Sequence, residues 1–570
     1  MNKKDVIRLL EDIALHLELK AENPFRVSAY RKAAQGLEQD VRSLKEIDDF
    51  TKIKGIGKGT KDVIVEFVET GRSTVLEELQ QEVPQGLIPL LKLPGLGGKR
   101  LATVYQELGV TDRTTLKEAC ENGSLKTVKG LGEKSAQNIL KALERESSRP
   151  ERMPVNSMLQ LSELVETYLD NIVEINRYNL AGSLRRLKET NKDIDFIIAT
   201  ENSQAVREQL IQMDIVKDII ANGDTKVSVT LNDDNEVNVD FRMVEQPAFA
   251  ATLHHFTGSK DHNVQMRQLA KSRGEKINEY GVMIEETEEL VQFESEKSFF
   301  AHFGLQEIPP EMREATGEVE AFRHSVPVLR PEDINGDLHM HTTWSDGAES
   351  VEEMVQYGRS LGYKYMAITD HSKFLRVANG LNESRLLKQR DEIKRVNDMY
   401  DDIHVLAGVE MDILPNGTLD FEDDFLKEMD IVIAAIHSSF QQSESQIMDR
   451  LLTAMENPYV DIIAHPTGRI IGRREGYAVH MDNLLDQAAR TNTALELNAN
   501  PQRFDLTTEW LQKAASKGIP IAVNTDAHNT QSLHFMNYGY RRANRAWLQK
   551  QDIINTWSKE KLLTFLNRNK

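Results

Sequence analysis

The chain has 570 residues, 40% of them apolar and 28% charged. These are the proportions of an ordinary globular protein, and the length exceeds what one core accommodates. Its formal net charge of −20 argues against a protein that merely coats nucleic acid. A single cysteine, Cys120, excludes an intrachain disulfide and any cysteine-based zinc site. No run of about 18 apolar residues offers a membrane span. Met1 to Lys20 carries Ile7, Leu10, Ile13 and Leu17 at helical spacing between charged ends; it reads as an amphipathic helix, not a secretory signal. A cytoplasmic protein without membrane contact is expected, and a monomer. The charge is unevenly spread. Residues 1–150 carry 25 Lys and Arg against 23 Asp and Glu, residues 151–330 carry 19 against 32, and residues 331–570 carry 26 against 35. If the chain holds DNA, its best electrostatic grip lies in the first 150 residues.

Up to about Arg149 short helices are punctuated by three similar glycine elements: Ile53–Lys58 with Gly55 and Gly57, Leu93–Gly97 with Gly95 and Gly97, and Val128–Lys134 with Gly130 and Gly132. A Gly-x-Gly turn at a helix start exposes backbone N–H groups at the positive end of the helix dipole and holds phosphate without reading a base. Each has an apolar middle residue and Lys or Arg nearby (Lys58, Lys61, Lys99, Arg100, Lys134). They resemble helix-hairpin-helix motifs, which grip the DNA backbone.

From Pro154 helices alternate with strands. In Lys192-Asp193-Ile194-Asp195-Phe196 the two aspartates share one strand face. A later strand, Glu236–Val244, puts Asp240 on its polar face and Val237, Val239, Phe241 and Met243 on the other. If the two strands are neighbours, Asp193, Asp195 and Asp240 converge. Three carboxylates are what two Mg²⁺ ions need in order to activate a nucleophile and neutralise a leaving group.

Around these lie Ala181-Gly182-Ser183-Leu184-Arg185-Arg186, then His255-Phe256-Thr257-Gly258-Ser259 followed by Asn263 and Arg267. With Ala29-Tyr30-Arg31-Lys32 and the first two glycine elements, this order resembles the family X DNA polymerases, the DNA polymerase beta-like group, over roughly residues 1–305. The resemblance implies that Asp193, Asp195 and Asp240 are the metal-binding catalytic triad. It implies that Gly182, Ser183 and Arg186 hold the triphosphate of a deoxynucleoside triphosphate. Phe256, Gly258 and Asn263 would line its sugar and base, with Arg267 near the templating base. Tyr30, Arg26 and Arg31 would face a 5′-phosphorylated end. Three positions depart from the pattern: His255 replaces a tyrosine beside the sugar, Lys260 an acidic residue, and Val63 the lysine that forms a Schiff base in lyase members.

Glu307–Asn335, with Pro309-Pro310, Pro327 and Pro331, carries the strongest linker signal. Seven apolar runs follow, each ending in residues suited to chemistry: His339 and His341; Asp370-His371; Glu410; His437; His465; Glu496 and Asn498; Asp526 and His528. Repeated strand–helix units with functional groups at the C-terminal strand ends describe a parallel β/α barrel. So many imidazoles and carboxylates point to two or three ions, with Mn²⁺, Zn²⁺ or Fe favoured over Mg²⁺. The set resembles the PHP (polymerase and histidinol phosphatase) domain over residues 335–570. That likeness implies ligands His339, His341, Asp346, His371, Glu410, His437, His465, Asp526 and His528, with Arg469 as phosphate holder.

The expected fold is multidomain. A helix-hairpin-helix domain (1–90) and a second helical region (91–150) precede an α+β nucleotidyltransferase palm (151–245). A nucleotide-selection subdomain (246–306), a linker (307–334) and a PHP barrel of about seven strands (335–570) follow. The expected function is gap-filling DNA synthesis in base excision repair, on gapped DNA with a 5′ phosphate. A Mn²⁺-dependent 3′–5′ exonuclease would act on primer 3′ ends, with abasic-site cleavage as a further implied activity. A fragment 331–570 is expected to hold its metals and cleave small phosphodiesters but grip DNA poorly. The alternatives are a DNA-binding module fused to a small-molecule phosphatase, and a non-catalytic DNA-end scaffold.

Overall fold

A computed structural model describes residues 3–40, 44, 47, 49–91, 93, 96–146 and 151–568. The chain divides into two units, Met1–Glu151 and Arg152–Lys570.

The first unit is helical and has two cores. In one, Val6, Leu10, Ile13 and Leu17 of helix Lys3–Leu19 pack on Tyr30, Ala33 and Leu37 of Pro24–Gln39 and on Val63 and Ile64 of Lys58–Thr70. Ile7, read on the same face, packs at the edge of this core. The other core joins Leu19, Leu87 and Leu90 to Leu101, Leu116, Leu131 and Ile139.

The second unit begins with the palm. Its strands are β1 (Met153–Pro154), β2 (Arg177–Leu180), β3 (Thr190–Asn191), β4 (Asp193–Ala199), β5 (Val216–Asn222), β6 (Lys226–Leu231) and β7 (Asn238–Val244). β1 and β3 form a small pair, and the main sheet runs β2-β4-β7-β6-β5. The neighbours β4 and β7 are parallel, with Asp195 opposite Asp240. Alternation in β7 buries Val239, Phe241 and Met243 against helix Val155–Leu169.

Beyond the palm, helices Phe249–Thr257, Lys260–Lys271 and Glu296–His302 pack with a three-stranded sheet. Its strands are β8 (Glu275–Asn278), β9 (Gly281–Ile284) and β10 (Leu290–Val291). The segment expected to be a linker completes this core: Ile308, Met312, Val319 and Phe322 are buried in it. Its charges are buried in pairs, Arg313 with Glu296 at 2.5 Å and Glu318 with His262 at 2.7 Å. Its prolines start short 3-10 turns, Pro310–Met312 and Pro331–Asp333, instead of loosening the chain. Proline and glutamate thus reflect tight turns and ion pairing here, not exposure.

The barrel strands are β11 (Gly336–Asp337), β12 (Tyr365–Ile368), β13 (His404–Asp412), β14 (Ile431–Ala435), β15 (Ile462–Ile463), β16 (Ala494–Asn498) and β17 (Ile521–Asn524). They are parallel and adjacent in chain order. A bridge between Met340 and Ala527 draws the first strand toward the last. All seven apolar runs of the sequence are strands of this nearly closed barrel.

Phe322 is 1% exposed in the segment once expected to be free. Phe322→Ala should destabilise the Arg152–Lys570 unit by about 3–5 kcal/mol, visible as a lower midpoint in scanning calorimetry; a linker position would show no shift.

Candidate metal centres

The palm centre is laid out by the β4–β7 register. Asp193 and Asp195 project from one strand beside Asp240 on the next. Ser228 donates to Asp240 at 2.5 Å and Lys226 lies 2.8 Å from its other oxygen. Asp195 is pushed up to about 7 by burial, with Asp193 and Asp240 adding repulsion; Asp193 is raised for the same reasons. Gly182 faces this cluster at φ +64°, and a side chain there would collide with the Asp195 carboxylate. Only glycine leaves the space open. Ser183 donates to Asn191 at 2.7 Å.

Arg186 does not point at open space. It contacts Glu314 at 2.9 Å and the Thr257 carbonyl at 2.7 Å. Asn263 donates to the His255 carbonyl at 2.7 Å, and Phe256 stacks under Arg242, 4.2 Å from the ring centre. Gly258 caps helix Phe249–Thr257, and Lys260 opens the next helix. Burial, with Arg267 and Arg242 nearby, lowers His255, so its imidazole is neutral at pH 7.

In the barrel the nine expected ligands come together at the C-terminal strand ends. Among the described residues three groups have ligand atoms within 4.8 Å of one another: His341, Asp346, His371 and His528; His339, His341 and Asp526; His371, Glu410 and His437. His465 joins them through Glu410 at 3.0 Å. Nδ1 of His371 is 2.9 Å from Glu410, yet the two are not aligned as a hydrogen bond, and Nδ1 of His341 and of His465 also lack partners. Buried imidazole and carboxylate atoms gathered around common points, several of them without a hydrogen-bond partner, fit metal coordination. Burial, with His371 and His528 close by, pushes His341 down to about 3. Burial opposes charge on His437 as well, yet Glu410 and Asp412 push it up to about 10.

Four further residues belong to this centre. Glu496 accepts from His339 Nδ1 at 2.7 Å and from the His465 backbone N–H at 2.7 Å. Asp412 lies 3.2 Å from His437 Nδ1. Asn498 donates to Asp526 at 3.2 Å. Such partners fix which imidazole nitrogen faces the ion. The signal for Glu496 was present, a carboxylate in the middle of an otherwise apolar strand. Arg503 is the fourth, its Nε 3.5 Å from Asp526. Arg469, expected to hold phosphate, instead pairs with Glu189 at 2.9 Å and donates to the Arg503 and Phe504 carbonyls. A half-buried guanidinium takes the nearest carboxylate, and for Arg469 that carboxylate is in the palm.

In the first unit, Gly57 and Gly97 are the N-caps of helices Lys58–Thr70 and Gly98–Leu108, and Gly132 directly precedes Glu133–Glu146. Neither cap glycine bonds its helix through a side chain, which leaves the first N–H groups for an anion. Ile56, Leu96 and Leu131 are buried and pin the turns. Gly55 and Gly130 take φ +100° and +89°; Gly95 lies outside the described residues. Tyr30 is packed in the core, only 6% exposed, and Arg31 pairs with Glu18 at 2.6 Å. The helix Pro24–Gln39 uses the tyrosine ring in its packing face, while Arg31 is exposed in its pair with Glu18.

Residues 1–73 match the helix-hairpin-helix domain family, 87–145 the SAM-like helix-hairpin-helix tandem, 252–314 the DNA polymerase beta thumb and 337–500 the PHP domain. Over 569 residues, the whole of both chains, the sequence is 54% identical to the "DNA polymerase/3'-5' exonuclease PolX" of Bacillus subtilis (strain 168). This chain belongs to the PolX family. Part of the chain is also similar to two proteins named "Probable phosphatase". One, from Syntrophotalea carbinolica, is 30% identical over 243 residues, 41% of this chain and 96% of that protein. The other, from Thermoanaerobacter sp. (strain X514), is 28% identical over 231 residues, 39% and 89%. The thumb match of this PolX chain runs past residue 306, in keeping with the packing of 308–322. Among its described residues no helix is long and apolar enough to cross a membrane.

Two measurements follow. The folded pKa of Asp195 lies above the ordinary carboxylate value, so metal-free stability is lost as pH rises from about 4 to about 7. Asp195→Asn should therefore raise the melting temperature of the metal-free protein, and more at pH 8 than at pH 5. Val63 is buried in its helix, and Lys61 is held 3.3 Å from Asp49. Borohydride should trap little adduct on a 5′-deoxyribose phosphate end; trapping at Lys58 or Lys61 would show that the amine has moved.

Proposed function

We propose that this chain is a DNA-directed DNA polymerase that fills short gaps during base excision repair and trims primer 3′ ends with the barrel. The observation that carries the reading is the presence of two separate acidic centres in one chain. One is a register-paired aspartate triad beside a glycine cradle; the other is a nine-ligand cluster at barrel strand ends. The full-length likeness to a protein named for both activities supports it.

In the palm, Asp193, Asp195 and Asp240 would hold Mg²⁺, which supplies activation of a primer hydroxyl and neutralises the leaving phosphate. Ser228 and Lys226 fix Asp240. Gly182 brings its turn close to the Asp195 carboxylate, and the backbone N–H groups of that turn would donate to a triphosphate beside Ser183, with Phe256, Gly258, Asn263 and neutral His255 toward its sugar and base and Arg267 toward the template. In the barrel, two or three ions, Mn²⁺ or Zn²⁺ or Fe, would supply a hydroxide for phosphodiester hydrolysis. Glu496 and Asp412 orient His339 and His437, and Arg503 rather than Arg469 stands where a substrate phosphate would come. The glycine turns at 55–57, 95–97 and 130–132 would hold the backbone of gapped, 5′-phosphorylated DNA. The same barrel chemistry extends to abasic sites. A phosphatase reading draws on the names of the barrel-length relatives, but it leaves the palm triad and the helical unit without a task.

Asp193→Ala with Asp195→Ala should lower nucleotide addition by on the order of 10³-fold or more and spare degradation. His339→Ala with His341→Ala should do the reverse. Primer-extension and primer-degradation assays in Mg²⁺ and Mn²⁺ test this; loss of both activities in either folded variant refutes two independent centres.

A further inference from the structure

Two loops flank the barrel's metal centre, 465–477 after β15 and 499–506 after β16. Both are fastened to the palm. Phe504 is completely buried, and the core it joins is the palm's, with Phe196, Ile198 and Phe241. It sits at φ +44°, a conformation that a bulky residue keeps only when its surroundings hold it. Ile471 packs on the same core, and its N–H donates to the Gln502 carbonyl at 2.7 Å, tying one loop to the other. Gly472 lies so close to Pro154 of the palm that a side chain there would collide with its ring.

The polar part of the joint centres on Glu189. Its backbone carbonyl accepts from Val155 in the palm, and its carboxylate receives Arg469 at 2.9 and 3.1 Å and Arg542 at 2.8 Å. Arg542 is 2% exposed and lies over the Phe504 ring, 4.8 Å from its centre. Arg469 passes the restraint on, through bonds to the carbonyls of Arg503 and Phe504. The side chain of Arg503 then ends beside Asp526.

We propose that Glu189 and Phe504 are positioning residues for the nuclease: the palm is the mould that sets Arg503 against the metal centre. This rests on the nuclease reading of the barrel. Neither residue touches substrate. Phe504 seats the loop, Glu189 locks the two guanidiniums that brace it, and Arg503 meets the substrate phosphate at a fixed distance. The expectation for fragment 331–570 changes accordingly. Cut from the palm, the barrel would expose Phe504 and Ile471, leave Arg542 without its carboxylate, and leave Arg469 only Asp505, 3.5 Å away. It should lose turnover of small phosphodiesters too, not only its hold on DNA.

The test uses the full chain loaded with Mn²⁺. Phe504→Ala and Glu189→Gln should each lower degradation of a single-stranded oligonucleotide and hydrolysis of bis(p-nitrophenyl) phosphate by about tenfold to a hundredfold. Bound Mn²⁺ per chain should not change, and primer extension should stay within about twofold of the parent. Phe504→Leu and Glu189→Asp should restore most of the loss. In an Arg503→Lys background the added cost of Phe504→Ala should shrink to about twofold or less, because both changes disturb the same contact. Costs that multiply in that background, or unchanged hydrolysis in both single variants, overturn the proposal. So does an equal fall of primer extension in Glu189→Gln, which would mark a general palm defect. A parent protein that degrades no DNA in Mn²⁺ would refute the nuclease reading itself, a result distinct from any of these.

Discussion

Glu410 is the carboxylate around which the barrel chemistry is arranged. It is fully buried, and five imidazoles lie within 3.5 Å: His371, His339 and His341 around one oxygen, His437 and His465 around the other. A carboxylate alone in such a place would take up a proton. Here burial is outweighed by His437, His339 and His371, and Glu410 is held well below the ordinary range. Four strand ends, those of β11, β12, β14 and β15, deliver their histidines to this one point, so the register of these strands is set by the same requirement that makes a metal site. Glu496 and Asp412 extend it by a second layer of carboxylates behind the imidazoles.

The palm solves the opposite problem. Its three aspartates repel one another, and among the described residues Lys226 is the cation paired with them at close range. The fold retains this repulsion because the sheet fixes it: once Ile194, Phe196, Val239 and Phe241 enter the core, alternation leaves Asp193, Asp195 and Asp240 on one face. A site poised to receive cations is less stable without them, and the hydrophobic core carries that cost.

Much of this was legible in the sequence, and for physical reasons. Strand alternation around Asp195 and Asp240 has a period of two, and the barrel strands are continuous apolar runs closed by a polar residue. Both patterns survive without an alignment. What was not legible is pairing across long sequence distances. Arg469 looked like a phosphate holder because it follows His465 closely, but its carboxylate, Glu189, lies 280 residues earlier. Arg186 looked free because Glu314 sits in a stretch whose composition reads as linker. Tyr30 looked exposed because an aromatic beside two arginines suits a phosphate, while the helix had another use for its ring. In each case local chemistry was read correctly and its partner was missing.

The side chains that tie the barrel to the palm are Phe504, Ile471, Arg469 and Arg542. They seat the two loops beside the metal centre against a neighbour. Such a joint makes the nuclease responsive to the palm without any shared substrate contact. A rotation of the palm that moved Glu189 by one hydrogen-bond length would loosen Arg469 and Arg542 together and release the backbone that carries Arg503. Because Arg542 is buried, the released state would leave its charge unpaired, and the joint should therefore hold or open as a whole rather than yield by degrees.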